Sequence, residues 1–409
     1  MPVIGTRQTA LPDAAFYLAA GSAIAILISI AASQILLGLA VIALLLSGMR
    51  IRFPPVLLPL GLFMAGTLVS LLLSPDPASG RPQVRKFFVF LILMVVYSTA
   101  RTIPRVRGLL LIATGIVSLS ALWSFVQFFR IWRQAAALGQ PFYTFYTAKR
   151  ITGFMSHWMT IGGEEMIVAL LATALLLFSV QRRWRPWLAA GTALILASIL
   201  MGFTRSIWFG TFAGGAYLIW MWRKWWVLVL PLAVLLVVAA DPFDLRERVR
   251  SVFQPHGDTD SNEFRHVCRV TGVAMIKAHP WFGLGPEQVK AQFLNYIPAD
   301  VARPLPSGWY GHLHNIYLHY AAERGIPTAL MLMWFLGKIS YDFISHVRRA
   351  TGDARAILHG AIAVIIGVLL VGFFELNLGD SEVLTMFLVT VACGYVAIDC
   401  AAEPHPARP

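Results

Sequence analysis

The chain has 409 residues, of which 58% are hydrophobic and only 13% charged. Soluble domains run near half apolar and about a quarter charged, so a water-soluble enzyme is excluded and an integral membrane protein is implied. The net charge is +13, from 33 Lys and Arg against 20 Asp and Glu, and in a membrane protein the location of that charge carries the information.

The N-terminus places Arg7 ahead of a very long apolar stretch, without the short apolar core and small-residue cleavage site of a removed signal peptide. A membrane span needs about 20 apolar residues. Twelve candidates follow along the chain, at 14–31, 32–49, 55–73, 87–100, 108–129, 161–180, 186–203, 206–222, 225–240, 315–337, 356–376 and 382–400. The first two share one unbroken stretch, and the fourth is short. No internal repeat is evident, which weighs against a transporter built from inverted halves. The expected architecture is an all-α membrane protein of about twelve transmembrane helices. Residues 1–240 would hold the first nine, 241–314 a large and partly helical outer loop, and 315–409 the last three with a cytoplasmic tail.

An even number of spans puts both termini on one side. Placing them in the cytoplasm makes every inner loop basic, including Arg50 with Arg52, Arg101 with Arg105 and Arg107, and Arg182 with Arg183 and Arg185. Several outer segments are basic as well: Arg81, Arg85 and Lys86; Arg130, Arg133, Lys149 and Arg150; Arg205; and the long loop. Topology gains nothing from these. They suit an anionic ligand such as a diphosphate, or they are simply solvated loop charges. Cys268, Cys393 and Cys400 lie far apart, with no metal or redox spacing, and read as structural.

The long loop does not look disordered. Val267, Val270, Val273, Met275 and Ile276 recur at helical spacing, "HPWFGLG" breaks the helix, and a second helical stretch is expected from Pro286 to Tyr296. Arg265 and Arg269, four apart, share a face. They repel unless an acid such as Glu263 or a bound diphosphate lies between them. Arg205 falls in a turn between two apolar runs, where it either snorkels or marks a functional site.

"GHLHNIYLHYAAERGIPT", from Gly311 to Thr328, gathers His312, His314, Asn315, His319 and Glu323 where the loop meets the next apolar run. Asn315 suits a helix cap. Asn315, His319 and Glu323 share one face, which should turn to the protein interior or a wet cavity. His-x-His could supply two metal ligands, but across a loop-to-helix junction that signal is weak. The other readings are histidines hydrogen-bonded in a structural role, and one histidine acting as general base on a substrate hydroxyl.

Over most of its length the chain resembles the O-antigen ligase and polymerase superfamily of bacterial envelope enzymes. The resemblance is carried by His314-Asn315 followed after nine residues by "GIPT", by Arg265 with "HPWFGLG", by "RITG" from Arg150, by "SPDP" with the basic residues up to Lys86, and by Thr204-Arg205. Many relatives have Trp where this chain has Arg269.

Spacing and moderate length favour the ligase over the polymerase. The resemblance implies a GT-C-like frame, an inner-membrane location and an active site on the periplasmic side. It implies transfer of a polysaccharide from undecaprenyl diphosphate to a sugar hydroxyl of lipid A core. His314 would be the base, and Arg205, Arg265, Arg150 and Arg85 would hold the donor diphosphate. His312, Asn315, Arg269, Arg81, Lys86, His319 and Glu323 would support them. The reaction would invert configuration and need no metal or cofactor. The partners are the two lipid-linked substrates and membrane lipids, with no nucleic acid. A lipid flippase or exporter, the rival from another class, would not need a histidine at one outer site.

Overall fold

The computed structural model describes residues 7–241, 243, 245–250 and 261–402. The central part of the long loop, 251–260, and the tail from 403 lie outside the described residues. Seventeen α-helices run in order through the rest. The first half holds α1 (Arg7–Ala25), α2 (Ile30–Leu46), α3 (Leu57–Leu72), α4 (Pro77–Arg85), α5 (Phe87–Thr99), α6 (Ile103–Ala137), α7 (Phe142–Ala148), α8 (Trp158–Phe178) and α9 (Arg185–Met201). The second holds α10 (Arg205–Trp222), α11 (Val229–Ala240), α12 (Leu245–Arg250), α13 (Ser261–Ala278), α14 (Gln288–Gln292), α15 (Ile316–Val347), α16 (Gly352–Val371) and α17 (Ser381–Ala402). No strand occurs among the described residues.

The expectation of twelve spans is corrected. Six helical segments among the described residues are long and apolar enough to cross a membrane: Pro77–Thr99, Ile103–Ala137, Trp158–Phe178, Arg182–Met201, Gly352–Val371 and Ser381–Ala402. Each apolar stretch in the sequence does become helix, but an apolar run does not guarantee a helix of spanning length. α2 and α3 stop at 17 and 16 residues, short of the roughly 20 that a bilayer core requires. α10 has 18 residues but is not apolar enough. α15 is long, but it is broken at Gly325 and carries His319, Glu323 and Arg324 in its first part. The protein is polytopic on the six segments alone.

Burial sorts these six. The windows of α8, α16 and α17 are 78%, 78% and 83% buried, against 33% for the α9 segment, so the first three form the inside of the bundle. α10 joins them through small residues. A β-carbon at Gly210 would collide with Met166 and the backbone of Gly367, and one at Gly214 with Leu170 and the backbone of Ala363. In a bilayer, where water does not drive helices together, close backbone approach of this kind supplies the packing energy.

α6, with 35 residues, is about 50 Å long and outruns the hydrocarbon layer. Its far end builds an aromatic cluster of Phe128, Tyr146 and Phe203 with Leu245. That cluster fixes the turn before α10. Phe203 sits at φ 49°, and its carbonyl accepts from Arg248 Nε at 2.8 Å. Arg205 thereby starts α10 at a defined point.

The segment between α11 and α15 has its own small core around Phe264, Cys268, Met275, Phe293 and Leu313. The expected second helical stretch is α14 followed by a 3-10 turn at Phe293–Tyr296. "HPWFGLG" docks on the break in α15. Leu284 N donates to Ala322 O at 2.9 Å, Gly285 N to Glu323 O at 2.8 Å, and Ile326 N to Pro280 O at 2.8 Å. Gly325, at φ 81° and ψ 160°, opens the helix so that the Ala322 and Glu323 carbonyls can accept and the Ile326 N–H can donate. A β-carbon there would run into the backbone of Trp281, and one at Gly283 into that of Glu323. The two glycine elements singled out in the sequence are thus the two halves of one contact.

Candidate active site

α15 begins with a capped turn. Asn315 Oδ1 accepts from Leu318 N at 2.9 Å, as a cap should, and its Nδ2 donates to Phe373 O at 3.1 Å. Ile316 N donates to Gly372 O at 2.8 Å. The start of α15 is therefore tied to the end of α16, and the tie carries His314 to the acid that follows α16.

That acid is Glu375, and the sequence reading missed it. Its Oε2 lies 3.0 Å from His314 Nδ1, and its Oε1 accepts from Arg265 Nη2 at 2.5 Å. Glu375 is 6% exposed. Burial disfavours its charge, but the His314 hydrogen bond and the Arg265 charge outweigh burial and hold its pKa down at about 2. The signal that could have found it is a lone acid at the end of an apolar run, "GFFELN", which is costly unless paired.

With Nδ1 directed at Glu375, the ring proton belongs on that nitrogen, and Nε2 keeps its lone pair. Nε2 is buried and has no hydrogen-bond partner. The backbone of His314 is left-handed, φ 46°, a conformation that costs a non-glycine residue energy and clusters at functional sites. His312 braces it. Its Nδ1 accepts from His314 N at 3.2 Å, and the two rings lie 3.9 Å apart. Burial first, and then the neighbouring His314, pull the pKa of His312 down to about 3, so His312 stays neutral and accepts that bond.

His314 and Asn315 line a cavity of about 560 Å³ together with Arg205, Arg265 and Arg269. Phe209, Phe373 and Phe374 form its apolar side, and each is exposed. Arg205 Nη2 donates to Asn262 Oδ1 at 3.1 Å. Glu263 or a bound diphosphate was expected between Arg265 and Arg269. Instead Arg265 bonds Glu375, while Arg269 Nη2 meets His266 Nδ1 at 3.1 Å.

Five of the residues singled out in the sequence thus converge on one cavity, and the others lie elsewhere. Arg150 does not line it. Its guanidinium lies 5.3 Å from the Trp158 ring centre, and burial, then the charge of Arg248, lower its pKa while Glu375 acts from the other direction. Arg81 and Arg85 are exposed on α4, outside the lining. Lys86 Nζ donates to Gly379 O at 2.7 Å.

His319 and Glu323 belong to a second buried cluster. His319 Nε2 is 3.5 Å from Glu323 Oε2, and Glu323 Oε1 accepts from Glu287 N at 2.8 Å. Arg324 Nη2 donates to Gln83 Oε1 at 3.2 Å and packs over the Tyr320 ring at 4.2 Å. This cluster staples α4 and the "HPWFGLG" segment to α15. Among the described residues no group of three His, Cys, Asp or Glu side chains could hold a metal ion.

Glu375→Gln tests the pair. The amide keeps the shape but removes the charge that would stabilise an imidazolium at His314, so if His314 is the base the transfer rate should fall about tenfold or more. Because the pKa of Glu375 is lowered on folding from 4.5 to about 2, the stability it contributes is complete above about pH 4.5 and is lost as pH falls towards 2. The variant should lack that part of the acid slope in thermal unfolding.

No curated protein matches the chain. Residues 190–333 match the family model described as O-antigen ligase, Wzy_C. The matched segment contains Arg205, Asn262, Arg265, Arg269, His314 and Asn315, while Glu375, which pairs with His314 and Arg265, lies beyond it. The chain therefore carries a segment, residues 190–333, similar to the O-antigen ligase family, set in a polytopic helical bundle.

Proposed function

We propose that the cavity transfers a polysaccharide from undecaprenyl diphosphate to a sugar hydroxyl of lipid A core, on the periplasmic side of the inner membrane, with both termini cytoplasmic. The observation that carries this is the His314–Glu375 pair facing three arginines in one cavity with an aromatic, exposed side. A donor with a sugar chain, a diphosphate and a long apolar tail needs these three surroundings in that order.

His314 Nε2 takes the proton of the acceptor hydroxyl, and Glu375 stabilises the imidazolium that forms. The hydroxyl oxygen makes its new bond to the anomeric carbon as the bond from that carbon to the diphosphate oxygen breaks. The diphosphate departs with the electron pair. Arg205, Arg269 and the remaining donors of Arg265 stabilise the charge it gains, and guanidinium forks suit phosphate oxygens. Attack opposite the leaving group inverts the anomeric configuration. The arginines take the charge-stabilising role that a divalent metal would otherwise fill. Arg150, within electrostatic reach of Glu375, and Arg85 on α4 guide the anionic donor.

The test is a purified system with the lipid-linked donor and lipid A core. Formation of a glycan–core bond with inverted anomeric configuration, undiminished in chelator, is the expected result. Extension of a second lipid-linked repeat unit instead would make the enzyme a polymerase, and absence of any new glycosidic bond would remove the reading. Arg205→Ala should lower kcat/KM for the donor about a hundredfold, the scale of losing one charge-stabilising group in a transition state. It should leave the KM for the acceptor unchanged. Equal losses for both substrates would point to a folding defect.

A further inference from the structure

At the opposite end of the bundle, a second cavity of about 720 Å³ opens between the α2–α3 connection, the α5–α6 connection and the end of α17. It is lined by Arg50, Arg52, Arg101, Tyr97 and Asp399, among others. We propose that this cavity binds the phosphate of an anionic phospholipid.

Three guanidiniums face one carboxylate, and that carboxylate is already engaged. Asp399 is paired with Arg52 and accepts from the Tyr97 hydroxyl at 2.7 Å. Arg101 is held by neutral acceptors only, Nε on Ser98 O at 2.8 Å and Nη2 on Arg50 O at 3.2 Å. Its position is fixed, and among the described residues no carboxylate pairs with it. Arg50 and Arg101 are both exposed.

The wall is built rather than loose. Arg52 N donates to Ser98 Oγ at 2.9 Å, and the Arg52 guanidinium lies 4.7 Å from the Tyr97 ring centre, which pins the α2–α3 connection to the end of α5. Loop arginines that only orient a protein in the membrane need not converge on a cavity. Here they do, at the level where the α5, α6 and α17 spans begin or end.

The surroundings identify the source of the phosphate. Leu45 and Leu46 at the end of α2 are 60% and 69% exposed, and Leu57 and Leu58 at the start of α3 are 52% and 63% exposed. Phe53, in the cavity wall, is half exposed. A free phosphate has no use for such a surface, whereas acyl chains do. Basic pockets between helices at this depth suit lipid head groups, and paired guanidiniums suit phosphate oxygens.

The experiment is a lipid titration of the purified full chain, followed by native mass spectrometry, with phosphatidylglycerol, phosphatidylethanolamine and inorganic phosphate as separate probes. Phosphatidylglycerol should bind at least tenfold tighter than phosphatidylethanolamine, and inorganic phosphate should compete only weakly. Combined Arg50→Ala and Arg101→Ala substitution should lower phosphatidylglycerol affinity on the order of tenfold or more. Asp399→Asn, which removes the competing carboxylate, should raise it, and this variant decides the matter if the double variant does not fold. Equal binding of the two lipids, competition by phosphate at the same concentration as the lipid, or unchanged affinity in both variants would each overturn the proposal. None of these readouts depends on glycan transfer, so failure here is separable from failure of the function proposed above.

Discussion

Replacing His314 with alanine is expected to lower the rate of glycan transfer about 10²- to 10⁴-fold, the range that a positioned general base supplies, while the affinity for the donor stays within a few fold. The expectation rests on division of labour in the cavity. On the proposed function the arginines would hold the diphosphate whether or not the imidazole is present, so donor binding should survive. The proton of the acceptor hydroxyl then has no acceptor, because Nε2 of His314, which has no hydrogen-bond partner, is the nitrogen assigned to take it. His312 cannot substitute, since its Nδ1 accepts from the backbone of residue 314 and burial holds its basicity far below that of a free imidazole. Donor binding by lipid titration and single-turnover transfer, measured on the same preparation, separate the two effects. Turnover within threefold of the parent protein would end the base assignment.

The second large effect is on stability. Gly325→Ala should cost about 3 kcal/mol or more and lower the yield of folded protein, although the site is not part of the reaction cavity. Two penalties coincide. The φ of 81° is one that L-residues rarely adopt, and the added β-carbon would meet the carbonyl of Trp281. Relief requires separating "HPWFGLG" from α15, which breaks the three backbone hydrogen bonds that join them and leaves buried carbonyls unpaired. Gly215→Ala is the control. That glycine lies in α10 with open space around it, so alanine should be neutral or slightly stabilising through helix propensity. Thermal unfolding of the two variants side by side tests the argument, and equal unfolding temperatures would refute it.

Several features were legible because they depend only on neighbouring residues. Hydropathy marked the apolar helices, since each residue's preference for lipid is its own property. Asn315 announced a cap, because capping is decided within three residues. His314 stood out as a titratable group at a loop-to-helix junction. The glycines of "HPWFGLG" and "GIPT" announced special backbone, though not that each exists for the other.

What the sequence by itself determined is therefore an all-α membrane protein with basic loops and a resemblance to the O-antigen ligase and polymerase superfamily. Tertiary structure decided the rest. It reduced twelve apolar stretches to six helices of spanning length, because helix ends depend on caps, kinks and partners as well as hydropathy. It joined Glu375 to His314 across 61 residues and to Arg265 across 110, and drew Arg205, Arg265 and Arg269 to one cavity while leaving Arg81 and Arg85 outside. Buried Glu375 is paired only by groups brought from distant segments, His314 and Arg265, and no local pattern records which segments those are.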